Sequence, residues 1–331
     1  MSRRPPVRKV STARIRQPLR PSRIVTRSRP EGIRWLRADG SPNWSQVVVE
    51  RGGEVKLLAS RPPRGIMYSS TILEAAEAIA EYRVRGLVVH DSRERLRGIL
   101  LSTDLVNYLG GGEYYNIVIA RHNRNLFSAL RNEMIQSIYN PSPVFVYTDS
   151  SLDEVLKAIV GEGIGLVPVL YDDNTIYGVL TEHDLVKHLA RKRVGRSVSE
   201  YMTKTIVTVD AEASIRHAAQ LMTRHGFRRL PVVSGEDSSV KGVITAKDIV
   251  SFFGSHEALK RSTTGNIEEV LDTPVYEVME PGVYTIESKA DIGDAASAMI
   301  EYGVSSLLVV EGEDIVGIIT ERDVLVSIAV G

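Results

Sequence analysis

Residues 215–248 read IRHAAQLMTRHGFRRLPVVSGEDSSVKGVITAKD, and the architecture of the chain is decided here. Ile215, Ala218, Ala219 and Met222 recur at helical spacing while Arg216, His217 and Gln220 take the other faces, the pattern of a helix buried on one side. Gly226 stands where that helix must stop and supplies the left-handed cap. Leu230-Pro231-Val232-Val233 then reads as a strand buried on both faces. The polar turn Ser234-Gly235-Glu236-Asp237 and a second strand from Gly242 complete a hairpin.

The pattern recurs without a gap at Ile72–Val88, Leu152–Pro168 and Ile292–Leu308. Gly163 and Gly303 repeat the helix stop, and Arg83 replaces it in the first copy. The apolar runs are Leu87-Val88-Val89, Leu166-Val167-Pro168-Val169 and Leu307-Leu308-Val309-Val310, with second strands from Gly98, Gly178 and Gly317. A short lead strand precedes the helix (Val144–Val146, Ile206–Val209, Val283–Ile286), and half a helical turn precedes that (Ile135–Ile138, Val198–Met202, Val275–Met279). The unit is strand, helix, strand, strand, helix, an α/β fold of four α+β repeats. One unit is small for independent stability, so two tandem pairs are expected, broken near Arg191-Lys192-Arg193.

The chain has 331 residues, with 41 Lys+Arg against 41 Asp+Glu, but the signs are segregated. Residues 1–30 carry ten basic side chains and no acidic one, which leaves 31 basic against 41 acidic in the remainder. An acidic body is a poor general binder of nucleic acid. With Cys 0, disulfides, thiolate metal sites and a Cys nucleophile are excluded. No apolar leader or span of 18 apolar residues occurs, so a cytoplasmic protein with no membrane partner is expected.

The second strand of each hairpin ends in Gly-x-x-Thr-x-x-Asp: Thr181 with Asp184, Thr245 with Asp248, Thr320 with Asp323. The first repeat keeps Asp104 and has Leu101 in place of Thr. A helix cap accounts for Thr and Asp at this spacing. The same free amides also suit an anion, and the residue before Asp is His183, Lys247 or Arg322, a cation that a cap does not need and a phosphate does.

Helix-Gly, Leu-Pro-Val-Val and Gly-x-x-Thr-x-x-Asp, in this order from about residue 55 to 331, resemble the cystathionine-β-synthase (CBS) domain. The resemblance implies CBS domains paired into two Bateman modules whose clefts hold adenosine compounds. It divides the chain into a basic disordered arm (1–31), an N-terminal hairpin with the first CBS domain (32–109), an insertion (110–134), and further CBS domains at 135–193, 194–256 and 257–331. It further implies that Asp184, Asp248 and Asp323 hold ribose, with Thr181, Thr245 and Thr320 near ribose or phosphate. The backbone around Thr208 and Thr285 would meet adenine, and Leu101 puts the site of Asp104 in doubt. His225-Gly226-Phe227-Arg228-Arg229-Leu230-Pro231 resembles the nucleotide-sensing γ subunit of AMP-activated protein kinase. Alternation would turn Arg228 or Arg229 into a cleft, making repeat three the best single site.

No set of nucleophile, base and acid recurs, no P-loop occurs, and His183/His188 and His217/His225 lack metal-ligand spacing. The expectation is a non-catalytic regulator that takes AMP, ADP or ATP as ligand, with no cofactor and no metal, and that signals to a protein partner such as a kinase or other enzyme. Alternatives are a sensor of S-adenosylmethionine or methylthioadenosine, a nucleic-acid-associated protein acting through residues 1–30, and a scaffold in which the Thr-x-x-Asp motifs are caps only. Gly110-Gly111-Gly112 reads as a flexible link, and Leu126, Leu130, Met134 and Ile138 as one helical register. Residues 255–274 read as a polar link. Trp35, Trp44, Val47–Val49 and Val55–Leu58 around Gly52-Gly53 read as a hairpin docked on the first repeat.

Overall fold

The structure is a computed structural model and describes residues 7–10, 13–16, 18–19, 36–45, 53–189, 193–235 and 238–330. Each repeat forms the expected unit. The first helices run Ile72–Tyr82, Leu152–Leu156 with a wider turn to Gly161, Ile215–His225 and Ile292–Glu301. Thr71, Ser151, Ser214 and Asp291 cap them, each accepting a first-turn amide. All four helix stops are left-handed: Gly163, Gly226 and Gly303 at φ 79, 66 and 64°, and Arg83, which carries a Cβ, at φ 53°. The hairpins Gly86–His90/Leu96–Leu101, Leu166–Leu170/Ile176–Thr181, Arg229–Val233/Val240–Thr245 and Ser306–Glu311/Asp314–Thr320 share one irregularity, a register shift at the last pair but one. A parallel lead strand lies against each hairpin: Gly65–Met67, Val146–Tyr147, Val209–Asp210 and Val283–Glu287.

Backbone bridges pair the repeats in sequence order. Ser60, ahead of repeat 1, bonds the Val179 carbonyl of repeat 2 (2.8 Å), and Asn140, ahead of repeat 2, bonds Ile99 of repeat 1 (2.9 Å). Thr203 does the same to Ile318 (2.8 Å), and Glu280–Pro281 pairs with Gly242–Val243. The hairpin glycines make these approaches possible. A Cβ on Gly98 would sit 2.2 Å from the Asn140 carbonyl oxygen, and one on Gly242 would sit 2.2 Å from that of Glu280.

Helices pack in the other sense. One apolar core joins repeats 1 and 3, including Ile72, Ile79, Ile215, Met222 and Phe253. A second joins repeats 2 and 4, including Leu156, Leu185, Ile292, Met299 and Leu325. Every repeat therefore has one neighbour through its sheet and another through its helices, which closes four repeats into a ring.

Several expectations are corrected. The glycine run is not a flexible link: Asn107–Gly111 forms a buried wide turn, and a Cβ on Gly111 would meet Thr223 Oγ1 at 2.6 Å, so glycine lets repeat 1 approach repeat 3. The register from Leu126 to Ile138 breaks into a helix, Leu126–Arg131, and a single turn, Ile135–Ser137, with Met134 exposed between them. Residues 255–274 hold the helices Glu257–Arg261 and Ile267–Leu271, whose Ala258, Ile267, Val270 and Leu271 enter the first core. They meet the first insertion through Leu126 N–H to the Gly265 carbonyl (2.7 Å) and Ile267 N–H to that of Arg124 (2.9 Å).

Val55–Leu58 lies in a helix, Glu54–Leu58, not a strand; it starts after Gly53 at φ 83° and turns Val55 into the second core and Leu57 to solvent. It docks on repeat 2, not repeat 1, for the Tyr177 hydroxyl bonds the Lys56 carbonyl and Trp44 Nε1 bonds Asp153. Trp35 and Val47–Val49 lie outside the described residues. The arm is not disordered throughout: Val7–Val10, Arg14–Ile15 and Pro18–Leu19 are strands. Among the described residues no helix is long and apolar enough to cross a membrane.

Candidate functional site

The Thr-x-x-Asp motifs fold as the caps their spacing predicts. Asp184 Oδ2 accepts from Thr181 N–H (2.9 Å) and Oγ1 (2.6 Å), and Asp248 Oδ2 from Thr245 N–H (2.8 Å) and Oγ1 (2.7 Å). Asp323 Oδ2 accepts from Thr320 N–H (2.8 Å) and Oγ1 (2.7 Å). One oxygen per carboxylate makes the cap, so the cap does not use up the group; the Oδ1 of Asp184 accepts from Ser60 Oγ (2.7 Å). Asp104 has the Leu101 amide and no hydroxyl, and burial pushes its carboxyl up to about 6. Burial likewise raises Asp248.

At the centre of the ring the four repeats bring together Arg85, Glu182, His183, Arg228, Arg229, Glu321 and Arg322. Glu182, 1 % exposed, takes Arg228 (Nη2 to Oε2, 2.9 Å), Arg322 (Nε to Oε1, 2.5 Å) and Arg85 (Nη1 to Oε2, 3.6 Å). Glu321 takes Arg85 and the His183 ring (Nδ1 to Oε1, 2.8 Å). Arg229 and Arg322 also donate to the Ser305 and Gly163 carbonyls. Burial opposes ionisation of Glu182, but Arg228, Arg322 and Arg85 outweigh it and hold the group at about 2. Burial and the repulsion of Arg85 and Arg228 bring Arg229 down to about 9. The hydrogen bond to Glu321 raises His183. Among the described residues four guanidinium groups face the carboxylates of Glu182 and Glu321, with Asp184 also acting on Arg85 and His183, so positive charge is in excess there.

Two cavities open beside this cluster. The larger, about 430 Å³, lies between repeats 1 and 2, within the range of small-molecule sites. Its walls are Ser60–Pro62, Arg64, the Arg83–Gly86 entry to the first hairpin, and Thr181, His183 and Asp184 of repeat 2; Arg228 reaches in from repeat 3. Five arginines and a histidine line it, and Asp184 is its one acidic lining residue among those described. The smaller, about 90 Å³, lies between repeats 3 and 4 against Thr203, Thr205–Val207, Gly226–Arg229, Thr320, Glu182 and Glu321.

Of the residues singled out by sequence, Thr181, His183, Asp184 and Arg228 line the larger cavity, and Arg228, Arg229 and Thr320 the smaller. Arg322 belongs to the central cluster. Asp104, Thr208, Thr245, Lys247, Asp248, Thr285 and Asp323 line neither of the two. Thr208 is buried with no hydrogen-bond partner for its hydroxyl, and the Thr285 hydroxyl donates to the Arg8 carbonyl (3.3 Å). The roomier of these two cavities lies between repeats 1 and 2, with repeat three contributing Arg228. Sequence reasoning missed Arg61, Arg64, Arg83, Arg85, Glu182 and Glu321. A signal for the central four was present: aligned on the helices, repeats 1 and 3 carry Arg85 and Arg228 at one position. Repeats 2 and 4 carry Glu182 and Glu321 directly after the motif threonine.

Comparison with known proteins agrees with the architecture. The family profile of the CBS domain matches residues 53–111, 135–191, 198–255 and 275–330. An uncharacterised 33.4 kDa protein from the ribosomal RNA operon of Thermofilum pendens is 33% identical over 80% of this chain and 87% of its own length. Uncharacterised protein MJ1225 of Methanocaldococcus jannaschii is 31% identical over 78% of this chain and 92% of its own. Its crystal structure superposes with a TM-score of 0.75 at 28% identity, covering 82% of this chain and 98% of that one, and its description proposes an archaeal homologue of the AMPK γ subunit.

Proposed function

We propose that this chain, which belongs to the CBS-domain family, is a non-catalytic regulator that binds an adenine nucleotide in the cleft between repeats 1 and 2 and signals its occupancy to a protein partner. The observation that carries this reading is the lining of the larger cavity: Arg61, Arg64, Arg83, Arg85 and Arg228 around one carboxylate, Asp184. Guanidinium forks suit phosphate oxygens, and a carboxylate with one oxygen outside its cap suits ribose hydroxyls. Arg83 adds to the case. It holds a left-handed conformation that costs a residue with a Cβ roughly 1–2 kcal/mol and that glycine supplies in the other three repeats; what it adds there is a cation in the wall of the cavity.

The same charge separates the two ligand classes. S-adenosylmethionine sets one carboxylate against an ammonium and a sulfonium and is a net cation, and methylthioadenosine has no anionic group, so five arginines favour the net anions AMP, ADP and ATP over both. The description of the M. jannaschii protein as an AMPK γ homologue supports a nucleotide reading. Signalling follows from the centre. Arg85 and Arg228 line the cleft and also hold Glu182, which lines the cavity of the other pair. A phosphate that draws these arginines away from Glu182 changes the link between the two pairs. The ligand then shifts the arrangement by its differential affinity for the two states.

Isothermal titration of the full chain with AMP, ATP and S-adenosylmethionine tests this. The expected result is micromolar binding of the nucleotides, weakened ten-fold or more by Asp184→Ala, in keeping with the ~1.5–3 kcal/mol of a charge-assisted hydrogen bond. Equal or tighter binding of S-adenosylmethionine, or nucleotide binding indifferent to Asp184, overturns it.

A further inference from the structure

We infer that the strands Val7–Val10, Arg14–Ile15 and Pro18–Leu19 form a strap that closes the cleft between repeats 3 and 4 and that a nucleotide must displace it to bind there; this rests on the nucleotide reading above. The two pairs of repeats are built alike, yet their edges are treated differently. In repeats 1 and 2 the lead strands Gly65–Met67 and Val146–Tyr147 are the outermost strands of three-stranded sheets. In repeat 4 the corresponding edge is taken by the arm; in repeat 3, whose lead strand Val209–Asp210 stays outermost in its sheet, the arm pairs with the residues just ahead of that strand. Val7–Val10 pairs antiparallel with Val283–Ile286, Thr285 facing Arg8, and Pro18–Leu19 pairs parallel with Ile206–Val207. Between them Arg14–Ile15 stitches the two hairpins together. It pairs with Asp314–Ile315, while the Ala13 carbonyl accepts from Val240 N–H (2.8 Å) and Arg16 N–H donates to the Ile315 carbonyl (3.1 Å).

The strap coincides with a narrowed cleft. Ile206 and Val207, which it pairs, are also walls of the cavity between repeats 3 and 4, and that cavity measures about 90 Å³ against about 430 Å³ where no strap lies. Thr208, the next residue, is left with a buried hydroxyl that has no hydrogen-bond partner, a group that a ligand or water reaches once the strap lifts.

The attachment is made for release. Ile15, 4 % exposed, is inserted among Ile206, Val240, Val283, Leu308 and Ile315, whereas Arg8, Lys9, Arg14 and Arg16 are exposed. Strands of two to four residues, with Ile15 the one buried side chain among those described for Val7–Val10 and Arg14–Ile15, open locally at far lower cost than the core.

The test uses Asp184→Ala, so that the binding left belongs to the second pair, in three forms: the full chain, the chain lacking residues 1–19, and the full chain with Ile15→Asp. Titrated with AMP, the deleted and Ile15→Asp forms should bind at least ten-fold more tightly than the full chain. A second measurement needs no loosened strap. Saturating AMP should speed tryptic cleavage of the wild-type chain after Arg8, Lys9, Arg14 and Arg16. Unchanged or weaker AMP binding on loosening the strap, or cleavage slowed by AMP, overturns the strap while leaving binding in the first cleft intact. Absence of AMP binding by all forms, wild type included, overturns the nucleotide reading and the strap with it.

Discussion

Arg228 of the third repeat lies 2.9 Å from Glu182 of the second, although the two belong to different pairs of repeats and each lines a cavity of the other's pair. Glu182 is nearly buried and three guanidinium groups converge on it, so a carboxylate occupies the place where phosphate oxygens would be most favourably held.

Replacing that carboxylate should expose the repulsion it masks. Glu182→Gln keeps the shape and leaves Arg85, Arg228 and Arg322 facing one another. Removing one partner of a buried ionic cluster costs about 3–5 kcal/mol, and the lower end applies here because the arginines keep partial contact with water. Denaturant unfolding should show a loss of about 3 kcal/mol, and AMP should raise the melting temperature of Glu182→Gln more than that of wild type. An unchanged unfolding midpoint would show that Glu182 does not hold the centre together.

His183 should make the first cleft sensitive to pH. Its hydrogen bond to Glu321 raises it above the ordinary imidazole value, against the opposing effect of burial. A raised pKa means that the charged ring stabilises the fold below the unfolded value near 6.5, and that this contribution is lost as pH rises through the folded value. The AMP phosphate, with a second pKa of about 6, only gains negative charge as pH rises, so a fall in affinity over this range belongs to the protein. Titrations from pH 6.5 to 9 should show AMP binding weakening, with the slope much reduced in His183→Gln.

Asp104 should work the other way on stability. Its carboxyl is pushed up to about 6 by burial, so its ionised form destabilises the folded state at neutral pH, and protonation between about pH 6 and 4 removes that cost. Asp104→Asn keeps an acceptor for the Leu101 amide and removes the charge. At pH 7.5 it should stabilise the chain by up to about 3 kcal/mol, the equivalent of two pKa units, and the difference should vanish near pH 4. Equal stability of the two proteins at both pH values would refute the shift.

Gly242→Ala should separate repeats 3 and 4. The added Cβ would stand 2.2 Å from the Glu280 carbonyl oxygen, which is backbone and cannot swing aside, so the paired strand must move. Overpacking of this kind costs about 1–3 kcal/mol. Amide exchange at Gly242 and Val243 should quicken well before that at Ile72 or Leu156 in the two cores.

The fourfold repeat, its helices and hairpins and the caps at Thr181, Thr245 and Thr320 were legible because each rests on neighbours a few residues apart: helical spacing, a glycine stop, a threonine three residues before an aspartate. Reading failed where the decisive contact was remote. Gly110-Gly111-Gly112 looks like a hinge until Thr223, more than a hundred residues later, packs against Gly111. Val55 and Leu57 alternate as in a strand, yet a left-handed Gly53 starts a helix and the second core accepts Val55 alone. The polar stretch 255–274 hides four apolar side chains that complete the first core.

For the site the division is sharper. Sequence by itself determined that repeats 2, 3 and 4 end their hairpins on a capped carboxylate with a basic neighbour, because cap and cation are local chemistry. Only the tertiary structure decided which carboxylate faces a roomy cleft. Asp184 does so because Ser60–Arg64 and the Arg83–Gly86 turn wall a wide space beside it. The cavity of the second pair is narrowed where the arm runs along Ile206–Val207. Nor does any single repeat contain the surplus charge at the centre. Arg85, Glu182, Arg228 and Glu321 come from four segments that meet when sheets pair within modules and helices pack between them, and a charge balance set by that meeting has no counterpart in any local stretch of the chain.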